Sequence, residues 1–315
     1  MQPLWTMEAT VKPTLNELVR ACVAAVLMTA AGLARADVDV FACEPVWGAL
    51  VAEIAGDKAR VYTATTALQD PHRVEARPSL LARARTASLL VCTGAELEIG
   101  WLPLVLRQAG NPGIQPGAPG HLLAADHVSL LEVPKVLDRS LGDVHPAGNP
   151  HIWYDPRNIA RVAVVVVERL ATIDPANADT YRGRGEAFQA RWRDAIAGWQ
   201  REAAPLRGVK TVSSHLDMTY LYAWLGMVND GTLEPRPGIA PAAGDLALLL
   251  ERTRKDPPRL IVITPFQDRR AADWLAERAR APVVVVPFTV GGTSEARDLY
   301  GLFADTIARL LGALK

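Results

Sequence analysis

Short apolar runs of strand length alternate along this chain with segments whose apolar residues recur at helical spacing. Val38 to Ala42 reads as a strand, Trp47 to Ala55 as a helix and Ala59 to Thr63 as a second strand. Leu80 to Thr86 follows as a helix, Ser88 to Cys92 as a strand and, past Gly94, Ile99 to Gln108 as a helix. Strands separated by helices predict parallel pairing and an α/β fold. Residues 110–122, rich in Gly and Pro, read as a loop.

Tyr154-Asp155-Pro156-Arg157-Asn158 supplies a helix start, after which Ile159, Val162, Val166 and Leu170 recur at helical spacing. Beyond Asp174-Pro175, Tyr181, Phe188, Trp192, Ile196 and Trp199 fall on one stripe of a long helix, a pattern that marks core packing rather than a ligand box. The alternation then resumes. Val209 to Ser213 reads as a strand and Thr219 to Leu225 as a helix; a Pro/Gly-rich segment at 234–238 and a helix at 241–254 follow. Leu260 to Ile263 and Val283 to Val286 are β-branched strands around an amphipathic helix through Trp274, and Ser294 to Leu314 is a final helix. The pattern predicts two α/β lobes, 37–157 and 206–315, flanking a helical connection at 158–205. Each lobe carries a mostly parallel sheet covered by helices.

The N-terminus departs from this pattern. Lys12 and Arg20 precede an apolar run from Ala21 to Leu33, and Ala34-Arg35-Ala36 follows, so residues 1–36 read as a cleavable secretory signal peptide. Cys22 lies inside that segment without a lipid-attachment box around it, and a soluble, exported, unanchored protein is expected. Lys+Arg and Asp+Glu both total 34, leaving no basic excess to hold nucleic acid or an anionic membrane surface. The mature chain keeps Cys43 and Cys92 at the ends of predicted strands. A disulfide in an oxidising compartment and two buried thiols are both open readings.

Three of the six histidines stand beside residues that fix a backbone: Asp70-Pro71-His72, Gly148-Asn149-Pro150-His151 and Ser213-Ser214-His215. Neutral imidazoles suit zinc better than the oxygen-preferring calcium or magnesium. The three are more than sixty residues apart, which fits a site closed by the fold in a cleft rather than a zinc knuckle. In open α/β sheets ligands gather beyond the carboxyl ends of the strands, where these residues are predicted to lie. His121 and His127 read as solvated, and His145 could reach the cleft mouth. A fourth ligand is open among water, Glu44, Asp70, Asp268 and His145, with Asp155 or Asp217 available to orient the rings. A secreted zinc hydrolase would use the same three-histidine set, but the chain has no His-Glu-x-x-His helix and no Ser/His/Asp arrangement. A metal chaperone or surface adhesin on the same scaffold differs only in its partner.

Asp70-Pro71-His72 with Arg77-Pro78-Ser79, Asn149 to Pro156, Ser214-His215 with Tyr220, and Pro237-Gly238-Ile239-Ala240-Pro241 together carry a resemblance. Across essentially the whole mature chain the sequence resembles the ZnuA/TroA-like solute-binding proteins of zinc and manganese ABC transporters. The resemblance implies a monomeric periplasmic receptor without enzymatic activity. Its lobes would be joined by a long rigid helix, its metal ligands would be His72, His151 and His215, and its partner would be an inner-membrane ABC permease. Zn2+ is the implied cargo, with Mn2+ possible, because manganese-type members often carry a carboxylate where His215 stands. Two features depart from the pattern: no aspartate follows Val283 to Val286, where the chain reads Pro287-Phe288-Thr289, and there is no His/Asp-rich loop.

Overall fold

In the computed structural model, residues 38–135, 142 and 145–315 are described. The export segment expected over 1–36 lies outside them. The first sheet contains β1 (Val38–Ala42), β2 (Ala59–Thr63), β3 (Leu89–Cys92) and β4 (His121–Leu123) in the order β2-β1-β3-β4. The second contains β5 (Lys210–Ser213), β6 (Val228–Thr232), β7 (Leu260–Ile263) and β8 (Val283–Val285) in the order β6-β5-β7-β8. Every pairing is parallel, with Val40 opposite both Val61 and Leu89, and Thr211 opposite Leu260.

The alternation of side chains along each central strand divides the apolar residues between two layers. Val38, Val40, Ala42, Leu89 and Val91 face inward to a core that also contains Leu260, Val262, Ile307 and Leu310. Phe41, Leu90 and Cys92 face outward against α2 (Pro78–Thr86) and α3 (Leu102–Ala109). In the second sheet Val212, Ile261 and Ile263 do the same against α7 (Ala243–Thr253) and α8 (Arg270–Ala279). The inward layers are not separate: α1 (Pro45–Ala55), α4 (Pro156–Ile173), α5 (Ala178–Glu202) and α9 (Leu299–Ala313) pack between them and make one continuous core. Among the described residues no helix is long and apolar enough to cross a membrane.

The long helix α5 forms as its stripe predicts. Phe188 stacks on Trp192 at 5.2 Å, and Trp192 meets Tyr300 and Phe303 of α9 at 5.0 and 5.6 Å. The Trp192 indole N–H donates to the Pro156 carbonyl at 2.8 Å, tying α5 to the start of α4. Toward the first sheet, Arg184 reaches the Ala55 carbonyl and Asp57, and Arg191 pairs with Glu53. Residues of one helix thus contact both halves of the molecule.

Three elements differ from the sequence expectations. The 110–122 loop ends in β4, and a strand β6 follows α6 (Thr219–Leu225). Both are edge strands, one only three residues long and the other reading Val-Asn-Asp-Gly-Thr, so neither carries the two-sided apolar signature of a central strand. The last helix begins at Leu299, not Ser294, because Asp298 accepts the Gly301 N–H at 2.7 Å and sets its start. Cys43 and Cys92 form a disulfide between the ends of adjacent strands β1 and β3, which decides between the two readings left open above.

Candidate metal centre

His72 lies in the loop that leaves β2, His215 directly follows β5, and His151 lies ahead of α4. All three are beyond the carboxyl ends of the sheets. One ring nitrogen from each comes within 4.8 Å of the other two. The ring centroids of His72 and His151 are 5.6 Å apart, those of His72 and His215 5.8 Å, and those of His151 and His215 5.4 Å. His151 is buried, while the side chains of His72 and His215 keep only 15% and 12% of their exposure.

The two Asx-Pro-His sequences fold the same way. The Asp70 carboxylate accepts both the His72 backbone N–H at 3.0 Å and its Nδ1 at 2.8 Å. Asn149 Oδ1 accepts the His151 backbone N–H at 2.9 Å and its Nδ1 at 3.0 Å. The intervening proline restricts the backbone between acceptor and ring, so one side-chain oxygen sets both main chain and imidazole. The Asn149 amide nitrogen donates to Glu132 Oε2 at 2.8 Å and the Leu216 carbonyl at 2.6 Å, which leaves its oxygen turned to His151. The Tyr220 hydroxyl donates to the Asn149 carbonyl at 2.7 Å, and Trp101 donates to the Pro71 carbonyl at 2.8 Å, fixing both loops from behind.

His215 is oriented by a residue the sequence reading missed. Glu234 Oε2 lies 2.7 Å from His215 Nδ1 and also accepts the Gly238 N–H at 2.9 Å. The expected orienting groups are engaged elsewhere: Asp155 caps α4 and pairs with Arg157, while Asp217 accepts from Gln267 at 2.9 Å. With each Nδ1 facing an oxygen acceptor, the proton sits on Nδ1 and each Nε2 keeps a free lone pair.

The electrostatics differ from ring to ring. Burial pushes the His151 imidazole well below its usual range, helped by repulsion from His215 and His72, so it is neutral and ready to donate its lone pair. Burial also acts to lower His215, but the Glu234 hydrogen bond, with the charges of Asp217, Glu234 and Asp70, outweighs it and leaves the group raised. Burial raises Asp217 to about 6.

Of the candidate fourth ligands, Asp70 is engaged with His72, and Asp268 is exposed and paired with Arg270. Glu44 is buried in a separate network, accepting from Thr93 at 2.9 Å and sharing a hydrogen bond with Glu98. His145 Nε2 comes 3.3 Å from His72 Nε2. The loop after β8 adds no carboxylate to the cluster of His72, His151 and His215. Instead Phe288 packs edge-on against His151 and Trp153, its carbonyl accepts the Trp153 indole N–H at 2.8 Å, and the Tyr154 hydroxyl donates to the Pro287 carbonyl at 3.1 Å. His121 lies in β4 with its ring on the Ile114 carbonyl, half-buried rather than solvated, and His127 is exposed as expected.

The family described as zinc-uptake complex component A, periplasmic, matches residues 40–313. A high-affinity zinc uptake system protein, ZnuA of Paracoccus denitrificans, is 26% identical over 260 residues, covering 70% of this chain and 72% of that protein. The manganese ABC transporter substrate-binding lipoprotein PsaA of Streptococcus pneumoniae is 22% identical over 247 residues, covering 75% and 74%. An iron ABC transporter substrate-binding lipoprotein, MtsA of Streptococcus pyogenes, is 21% identical over 251 residues, covering 75% and 74%. Among solved structures, a crystal structure of ZnuA superposes with a TM-score of 0.73 at 20% identity, covering 88% of this chain and 99% of that one.

Proposed function

The chain belongs to the periplasmic zinc-uptake component A family, and from that premise we propose that it captures Zn2+ at His72, His151 and His215 and hands it to a membrane permease. The family is one of metal-binding receptors for ABC transporters, not of enzymes. Related proteins are named for zinc, manganese and iron, so the ion is read from the donor set. The proposed organisation is a lobe over 37–157, a connection over 158–205 and a lobe over 206–315. The receptor acts as a periplasmic monomer, exported by its N-terminal segment and not lipid-anchored.

The observation that carries the reading is the convergence of three imidazoles, each with Nδ1 on a fixed oxygen acceptor. Neutral nitrogen donors favour Zn2+ over the oxygen-preferring Mn2+. Tetrahedral zinc at 2.0–2.1 Å holds its donors roughly 3.3–3.4 Å apart. Donors already within 4.8 Å of one another need only a small contraction on loading. The Trp153 ring lies 5.4 Å from that of His151 and supplies a fluorescent readout of the event.

Titration of the mature protein with zinc, followed by tryptophan emission and repeated with His→Ala at 72, 151 and 215, tests the ligand set. One zinc per chain and a severe loss of affinity in each variant are expected. Unchanged affinity in all three variants refutes the assignment.

A further inference from the structure

His145 stands beside the three clustered rings and meets them through His72. The two Nε2 atoms lie 3.3 Å apart, with ring centroids separated by 5.3 Å. His72 keeps its proton on Nδ1, against Asp70. The other edge of the His145 ring lies toward the Ala95 backbone, an acceptor that suits a proton on Nδ1. With the His145 proton on Nδ1, the two Nε2 atoms face each other with lone pairs. At that separation the lone pairs repel unless a cation lies between them. The 3.3 Å spacing is also about what two nitrogens of a tetrahedral zinc site adopt.

The backbone around His145 is built to hold the ring there. The Gly148 N–H donates to the His145 carbonyl at 3.0 Å, closing a turn with Pro146 in its second position, and the turn opens directly onto Asn149 and His151. Gly148 has φ +121°, and a Cβ there would come within 2.8 Å of the Leu131 carbonyl. On the other side of His145, Gly142 has φ +88°, and a Cβ would come within 2.3 Å of the Pro237 carbonyl. The Gly148 approach seats the turn against the Leu131 backbone. A 160 Å3 cavity bounded by His145, His151, His215, Glu132 and Pro237 lies beneath it.

Resting on the three-histidine reading above, we propose that His145 is the fourth protein ligand, carried on a turn that closes over the bound ion. Loading draws its ring inward from its contact with His72. The occupied site is then four imidazoles with no coordinated water and no carboxylate. Such a set suits Zn2+ and disfavours Mn2+ more strongly than three imidazoles and a solvent oxygen would. The ligand comes from the turn before His151, while the loop after β8 closes the opposite side with an aromatic wall.

Zinc X-ray absorption on the loaded protein, with His145→Ala, His145→Gln and His151→Ala, tests the proposal. The wild type should show four imidazoles and both His145 variants three. Their zinc affinity should fall roughly a hundredfold, at least matching the loss from removing an orienting partner. If the alanine variant fails to fold, the glutamine variant carries the measurement. An unchanged imidazole count and affinity within twofold of wild type in the His145 variants, with binding lost in His151→Ala, overturns the fourth ligand and leaves the three-histidine site standing. A wild-type protein that binds no zinc overturns the underlying reading instead.

Discussion

Glu234 offers the sharpest test of how the site is tuned. Its carboxylate reaches His215 Nδ1 at 2.7 Å and has only 20% of its side chain exposed, so it is a shielded, charge-assisted partner rather than a surface charge. Glu234→Gln keeps the length and an acceptor oxygen for Gly238 but removes the negative charge that makes His215 a stronger donor. Loss of such a partner typically costs about 10–100-fold in metal affinity, or about 1.4–2.8 kcal/mol. The sign of the pH effect follows from the raised His215: protons compete with metal from a higher pH than for an unperturbed imidazole. Without the carboxylate that competition moves to lower pH. The variant should therefore lose most relative to wild type near pH 8, where protons compete least for His215, and less near pH 6. Competition against a chromophoric zinc chelator at both pH values measures this. Affinity within twofold of wild type at pH 8, in a variant with unchanged thermal unfolding, would refute the argument that the charge supports the ligand.

Two further predictions concern stability. The Cys43–Cys92 bridge closes a loop with a sequence separation of 49, for which the chain-entropy relation gives about 4 kcal/mol. Paired Cys→Ser substitution should lower urea-derived stability by about 2–4 kcal/mol, and an unchanged midpoint would show that the bridge does not constrain the unfolded chain. Burial, with repulsion from Glu98, raises Glu44 well above the usual carboxylate range, and burial raises Glu98 too. The native state then holds more protons than the unfolded one, so this pair makes stability fall as pH rises above about 4.5, through the range where unfolded carboxylates ionise. Glu44→Gln can still donate to Glu98. It should flatten that slope and gain on wild type toward pH 8 in urea titrations; parallel curves would sink the assignment.

The parts of the fold legible in the sequence are the apolar or β-branched runs bounded by turn residues, the edge strands Ala59–Thr63 and Val283–Val285 among them. Val38–Ala42, Leu260–Ile263 and Thr219–Leu225 have the predicted limits because apolar runs and turn residues bound them. The edges β4 and β6 escaped because one is three residues closing a Gly/Pro-rich stretch and the other, Val-Asn-Asp-Gly-Thr, has almost no apolar run. At the site the three histidines were legible through local punctuation, but their supporting groups were not. Asp70 and Asn149 share a signal that could have been read, an acceptor two residues before a histidine with proline between. Glu234 lies nineteen residues beyond His215 in a Pro/Gly-rich segment, and only the way β6 returns beside β5 brings them together. Asp217, nearer in sequence, turns instead to Gln267.

The loop after β8 has a mechanical consequence. Thr289 accepts the Val46 N–H at 3.0 Å at the start of α1, while its neighbours Pro287 and Phe288 hold Trp153 and Tyr154. One short piece of chain rivets the second sheet's end to the first sheet's leading helix and to the segment bearing His151. A clamshell swing would have to tear this rivet along with the shared apolar interior. Any change in access to the pocket is therefore expected in its bordering loops and turns rather than in the frame.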